Sequence, residues 1–287
     1  MTKKRIGIYL LFSFGIVWGM MILYMIMGGK YEDPAMEFIL TLSMLSPAIA
    51  VVLTRKITKE GFRMMGEGSM MLGMDFRNRK WIWYVVALTI PILYFDLGIL
   101  CYYMIFPKAF DLAALDGLNI SRHLLFLVPL SIIAYSGLVS FGALGEEIGW
   151  RGYLYPKLEE LYGNTKAILL GGIIWGVWHF PGIYMGHNFG HGYFLEPWSG
   201  FLVFTLFTIA VGSILCYITK KTGSVWPAAF MHAVNNAASG SSVLGMAFSE
   251  ENLPDIALET PLRLFIISIP VLIIGILAWM KMRKNSD

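Results

Sequence analysis

Apolar runs, each about as long as a bilayer is thick, constrain this 287-residue chain more than anything else in it. They fall at about 6–28, 35–54, 81–106, 124–145, 166–185, 198–219, 225–248 and 262–280. A helix needs roughly 20 apolar residues to cross a hydrocarbon core, and inside that core every backbone N–H and C=O has to find its partner within the protein. The sequence therefore predicts an all-α, polytopic membrane helix bundle of about eight transmembrane helices, one integral-membrane domain over 1–287. Charged residues are only 14% of the chain, against about 25% in soluble domains. Pro47 and Pro91 interrupt the second and third runs, which is tolerated where neighbours satisfy the freed carbonyl. Lys3, Lys4 and Arg5 before the first run imitate a signal peptide. That run is too long and lacks a small-x-small cleavage site, so it reads as a span. Cys101 and Cys216 lie within apolar runs and read as small hydrophobes rather than a disulfide pair.

With eight spans the loops alternate between two faces, and the basic residues divide unevenly. Of the 22 Lys and Arg, 18 fall on the face of the termini; Lys30, Lys108, Arg122 and Arg263 fall on the other. The positive-inside rule then puts both termini in the cytoplasm of a multi-pass protein of the cell (cytoplasmic) membrane. The bilayer is the first partner implied, and nothing points to nucleic acid. Glu250, Glu251, Asp255 and Glu259 belong to a solvated outer loop. The basic, Met-rich stretch 55–80 reads either as an interfacial segment on the inner leaflet or as an ordinary mobile loop.

Against this background Gly145-Glu-Glu-Ile-Gly-Trp-Arg151 stands out. Adjacent carboxylates are costly at a membrane boundary, where little water solvates them. Glu147 and Arg151 are four apart, so on a helix they share a face and can pair. Glu146 points about 100° away and is left without that partner. One carboxylate clamped and another free is an arrangement suited to a general base. His179 and His232 interrupt two further runs. With a turn at about Gly163, Glu146 and His179 each lie roughly 25 Å along antiparallel helices at 1.5 Å per residue, hence at similar depth. If 155–165 projects into the cytoplasm, all three groups converge about 10 Å below the inner surface, at 1.5 Å per residue. Asn236 stands one turn from His232 on the same face, and an imidazole and a carboxamide together can donate to a developing oxyanion. Asn235 is turned about 100° away. The small residues 237–242 read as a surface for close helix approach. Asp96 is expected to hydrogen-bond to a neighbouring helix. His187 and His191 have a spacing that grips a metal from a helix, but Gly186, Gly190 and Gly192 argue against helix there.

At these residues the chain resembles the CPBP family, the CAAX-protease-and-bacteriocin-processing or Abi proteins. Its Glu-Glu-x-x-x-Arg is matched by Glu146, Glu147 and Arg151, followed by the typical Gly-Tyr-Leu. Its aromatic-x-x-x-His is matched by Trp175 and His179, where the family usually has Phe; its His-x-x-x-Asn is matched by His232 and Asn236. The match covers 146–236, within a core of about 124–248. The resemblance implies an intramembrane endopeptidase similar to those that trim prenylated CAAX proteins, acting on a membrane-associated peptide or protein, lipidated or not. Glu146 would activate water, His179 would hold it, His232 and Asn236 would stabilise the oxyanion, and Glu147 with Arg151 would orient the site. Members are described as metalloproteases or as glutamate proteases. Zinc would accept Glu146, His179 and His232 as a His₂Glu set, but no His-Glu-x-x-His helix is present, and a desolvated glutamate can serve as base without metal. The reading leans to the metal-free form. Two other classes stay open: an immunity or partner-stabilising protein that acts by binding, and a proton-coupled transporter using Glu and His as a relay. Inverted repeats or broken-helix pairs would mark the transporter, and the sequence has neither.

Overall fold

The computed structural model describes residues 1–66, 68–118, 122–251 and 253–283, and its architecture is entirely helical apart from one isolated bridge between Phe110 and Phe248. Ten α-helices follow in order: α1 (Thr2–Ile26), α2 (Pro34–Thr58), α3 (Trp81–Ile105), α4 (Val128–Gly149), α5 (Tyr155–Trp178), α6 (Phe180–Tyr184), α7 (Trp198–Thr222), α8 (Trp226–Ala238), α9 (Asp255–Leu258) and α10 (Thr260–Arg283). A π-helical turn, Trp150–Leu154, joins α4 to α5. Among the described residues, six stretches are long and apolar enough to cross a membrane: α1, α2, α3, the run 123–178, α7 and α10. The run 123–178 reverses at Gly163, whose φ of 75° and ψ of 166° suit glycine and strain other residues. Every apolar run predicted from the sequence thus contains a helix.

Three expectations are corrected. Pro47 and Pro91 do not break their helices, which run on through them. The run 225–248 is helical only to Ala238. Ser239, Gly240, Ser241 and Ser242 do not provide a packing stripe; they end the helix, because serine hydroxyls compete for backbone and neighbouring groups and glycine gains little from helix. Ser242 Oγ donates instead to Asp96, so that carboxylate is held by the loop after α8 rather than by a neighbouring helix. Residues 155–162 lie at the end of the bundle where α1 begins and α7 ends. Glu159 accepts a bond from Lys220 near the end of α7, and the Thr2 hydroxyl at the start of α1 donates to Glu160 at 2.9 Å. Fourteen residues at 1.5 Å separate Glu160 from Glu146, so the site lies about 21 Å from that end of the bundle.

The long helices pack side by side in a closed ring: α1, α2, α4, α8, α3, α10, α7, α5 and back to α1. The approach of α2 to α4 requires glycine. A Cβ on Gly149 would lie 2.3 Å from Pro47 Cβ, and one on Gly145 would lie 2.7 Å from the Met44 carbonyl. Cys101 and Cys216 are free thiols within the bundle.

The stretch after α2 forms a strap tied into the bundle end by hydrogen bonds, with Phe62, Met64, Met65, Met74 and Phe76 exposed. The Arg55 guanidinium, itself buried, donates to the carbonyls of Gly61 at 3.1 Å and of Gly68 and Ser69 at 2.9 Å. The Met71 carbonyl accepts from the amide of Val225, and the Leu72 carbonyl from the Trp226 indole, each at 3.0 Å. Glu60 ties this strap to three helices. It accepts from Tyr153 at 2.6 Å, Thr58 at 2.7 Å and Lys157 at 2.9 Å, and lies 3.4 Å from Arg5. Burial alone would raise its carboxyl; the bonds from Tyr153, Lys157 and Thr58 outweigh that and bring it down to about 2. Because the folded value is depressed below the ordinary 4.5, the stabilisation from Glu60 is complete above about pH 4.5 and is lost as pH falls towards 2. Thermal unfolding in detergent should show wild type more stable than Glu60→Gln at pH 7, with the gap narrowing steadily below pH 4.5. A gap that stays constant with pH would contradict the role of the charge.

Candidate active site

The last turn of α4 and the π turn after it set the two glutamates on different faces. Glu147 is fully buried, and its Oε1 accepts two bonds, from Arg151 Nη1 at 3.0 Å and from His232 Nδ1 at 2.9 Å. The pairing with Arg151 is the one the four-residue spacing predicts. The bond to His232 was not legible, since it depends on α8 packing beside α4. A carboxylate can only accept, so Nδ1 carries the proton and Nε2 is the nitrogen left for the cavity. The Arg151 guanidinium lies 4.2 Å from the centroid of the Trp175 ring, a stacked cation held where water is scarce.

Glu146 takes the other direction and lines a cavity of about 410 Å³ inside the helix ring. Its Oε2 accepts from two indoles, Trp175 Nε1 at 2.9 Å and Trp150 Nε1 at 3.2 Å; Oε1 takes no part in those bonds. The substitution of Trp for the more usual Phe at 175 therefore has a consequence, because phenylalanine has no N–H to give.

His179 stands at the break between α5 and α6, where Pro181 prevents the first helix from continuing. Its Nδ1 lies 2.8 Å from the Trp175 carbonyl. That contact requires a proton on Nδ1 and leaves Nε2 as an acceptor. The Trp175 ring lies between the two imidazoles, 5.9 Å from His179 and 5.4 Å from His232 by centroids. Glu146, His179, His232, Asn235 and Asn236 all line the same cavity. Glu147 and Arg151 stand behind them.

Asn235 is closer to the site than its helical position suggests. Its Oδ1 accepts from the Tyr94 hydroxyl of α3, and its Nδ2 donates to Asn236 Oδ1 at 3.2 Å. Asn236 is thereby held by its oxygen, with its own Nδ2 as the remaining donor. Tyr94, buried and two residues before the Asp96 that drew attention in the sequence, was missed because nothing local marks it as a partner of α8. His187 also reaches the cavity, with Nδ1 2.9 Å from the Tyr31 hydroxyl, whereas His191 pairs with Glu196. These two histidines lie in turns and have separate partners.

A His₂Glu metal would have to use Glu146, His179 Nε2 and His232 Nε2. Among the described residues no three His, Cys, Asp or Glu side chains are gathered into a metal-holding group. Glu146, His179 and His232 nevertheless line one cavity.

The Tyr94–Asn235–Asn236 chain yields a structural test. Tyr94→Phe leaves a buried acceptor unpaired, which costs about 1–3 kcal/mol. Thermal unfolding in detergent should show that loss, and Asn235→Leu added to Tyr94→Phe should not deepen it by a second full increment. Unchanged stability of Tyr94→Phe would remove the tyrosine from the chain.

Part of this sequence resembles known proteins. Residues 127–238 match the sequence model described as type II CAAX prenyl endopeptidase Rce1-like. Over 85 residues the chain is 36% identical to a protein named CAAX prenyl protease 2 from Methanococcus maripaludis. That alignment covers 29% of this chain and 31% of the relative, so the chain spans about a third of the length of the curated relative it matches. The matched region holds Glu146, Glu147, Arg151, Trp175, His179, His232, Asn235 and Asn236, and over that core the chain is similar to the type II CAAX prenyl endopeptidases.

Proposed function

We propose that this protein is an intramembrane endopeptidase of the CAAX protease type, in the cell membrane, that hydrolyses a peptide bond of a membrane-associated protein or peptide by glutamate-activated water without a metal. The observation that carries this reading is the buried Glu146 carboxylate, fixed through one oxygen by two indoles and lining a cavity with two oriented imidazoles.

In the reaction, water sits between Glu146 Oε1 and His179 Nε2. Glu146 takes a proton as the water oxygen attacks the scissile carbonyl carbon. The new oxyanion receives hydrogen bonds from His232, whose protonated ring is held by Glu147, and from the Asn236 carboxamide. Glu146 then gives its proton to the amide nitrogen as the C–N bond breaks, and the carboxylate is restored. Donors fixed before the reaction in a water-poor site are worth more than the same donors in water. Arg151 pairs with Glu147, which holds His232, and therefore acts through His232.

The substrate is identified first, by comparing protein termini in membranes carrying wild type and Glu146→Gln. A cleaved terminus absent from the variant supplies the assay. Glu146→Gln should lower turnover by roughly 10²–10⁴ or more. Trp175→Phe removes one of two donors to Oε2 and should lower kcat by about tenfold or more, since bonds to charged groups are worth about 1.5–3 kcal/mol. Near-normal turnover of Glu146→Gln would remove Glu146 as the base. One equivalent of zinc in the active purified protein, lost with activity on chelation and restored with it, would overturn the metal-free mechanism and leave the protease reading in place.

A further inference from the structure

We propose that the strap between α2 and α3 is a docking surface for anionic phospholipid. Its exposed lysines and arginines hold the phosphate headgroups, and its exposed phenylalanines and methionines rest against the adjoining glycerol and acyl carbons. The proposal is independent of the peptidase reading and concerns a surface apart from the cavity.

The first observation is that large apolar side chains stay outside on a segment whose backbone is fixed. The Met70 amide donates to the Arg63 carbonyl and the Leu72 amide to the Met64 carbonyl, each at 2.9 Å, so the strap doubles back as a short hairpin. Arg55, Val225 and Trp226 hold further carbonyls on its inner side. Phe62, Met64, Met65, Met74 and Phe76 remain exposed all the same. Exposed apolar side chains gathered on one short, tied segment mark an interaction surface.

The second observation is charge. The strap's described carboxylates already have partners within the protein. Glu60 takes Tyr153, Thr58 and Lys157, and Asp75 takes Arg77 and Lys80 at 3.0 Å each. Lys56, Lys59, Arg63 and Arg79 are exposed and have no carboxylate partner among the described residues. Unmatched cations interleaved with apolar side chains beside a membrane span are the chemistry that holds anionic headgroups.

The third observation selects lipid over a soluble partner. The strap joins α2 to α3, both long and apolar enough to cross a membrane. The exposed apolar belts of these helices run into it: Ile49, Val52 and Ile57 late in α2, and Trp81, Ile82 and Val85 early in α3. α4 and α8 stand between α2 and α3 in the ring, so the strap passes along the rim of the bundle. On the way it meets the π turn, where a Cβ on Gly152 would lie 3.2 Å from the Met70 carbonyl, and the start of α8. Its apolar surface is thus continuous with the belt those helices present to lipid.

The test titrates the detergent-purified full chain with dioleoylphosphatidylglycerol or dioleoylphosphatidylcholine and counts bound lipid by native mass spectrometry. Phosphatidylglycerol should bind tenfold or more tighter, and Lys56→Gln, Lys59→Gln, Arg63→Gln and Arg79→Gln combined should abolish that preference, each basic residue being worth up to about fivefold. A control variant with Lys166→Gln, Lys221→Gln, Lys281→Gln and Arg283→Gln, exposed positions off the strap, should keep it. Thermal unfolding in phosphatidylcholine mixed micelles checks that both variants fold. Phosphatidylglycerol should raise the unfolding temperature of wild type and control but not of the strap variant, because a ligand stabilises the state that binds it. Should the fourfold strap variant not fold, Arg63→Gln alone carries the test, with a loss of up to about fivefold. Equal binding of the two lipids would leave the surface to a soluble partner and overturn the proposal. A strap variant that keeps the preference, or a control that loses it equally, would overturn it as well.

Discussion

A single buried carboxylate organises the centre of this protein. Glu147 Oε1 holds Arg151 at 3.0 Å and His232 at 2.9 Å, so one oxygen fixes a cation on its own helix and an imidazole on another. Its Oε2 has no hydrogen-bond partner among the described residues. A buried ion pair in a low-dielectric interior loses solvation from both members, and an unpaired buried oxygen adds about 1–3 kcal/mol. Such a group earns its place by geometry: it points His232 Nε2 at the cavity and keeps Arg151 against the Trp175 ring. That ring in turn presents its N–H to Glu146 and its backbone carbonyl to His179. From Glu147 the chain of contacts reaches every group proposed to touch the substrate except the asparagines, which α3 holds through Tyr94.

The helix ring makes this centre possible. Gly145 and Gly149 bring α4 against α2, and Gly163 folds the long run 123–178 back on itself so that Glu146 and His179 line one cavity. The π turn at Trp150–Leu154 occurs where the spacing of side chains matters most. Such insertions re-aim side chains and are found often at functional sites. Here Trp150 turns back to Glu146 while Arg151 keeps its register with Glu147.

Much of this was legible in the sequence because it depends on local period and composition. The apolar runs predicted the helices; the four-residue spacing predicted the Glu147–Arg151 pair; the turn at Gly163 predicted the matched depth of Glu146 and His179. What stayed hidden depends on which helices are neighbours. The bonds from Trp175 to Glu146, from His232 to Glu147 and from Tyr94 to Asn235 each join residues 29 or more positions apart. The hydrogen bonds of the strap stayed hidden because backbone carbonyls make them, and a basic Met-rich sequence gives no sign of where its carbonyls go. The early end of α8 was legible in principle, since Ser239, Gly240, Ser241 and Ser242 are poor helix formers; their smallness had been assigned to packing instead.

The most direct measurement of the central claim is a double-mutant cycle on Glu147 and Arg151, read by thermal unfolding in detergent. Removing one partner of a buried pair typically costs about 3–5 kcal/mol because the other charge is left unmatched. Glu147→Gln and Arg151→Met should therefore each destabilise the protein strongly. The double variant should be less destabilised than the sum of the two, with a coupling of roughly 1 kcal/mol or more. Simple additivity would mean that the two side chains act independently, and the account of the site as an assembly built on Glu147 would be wrong.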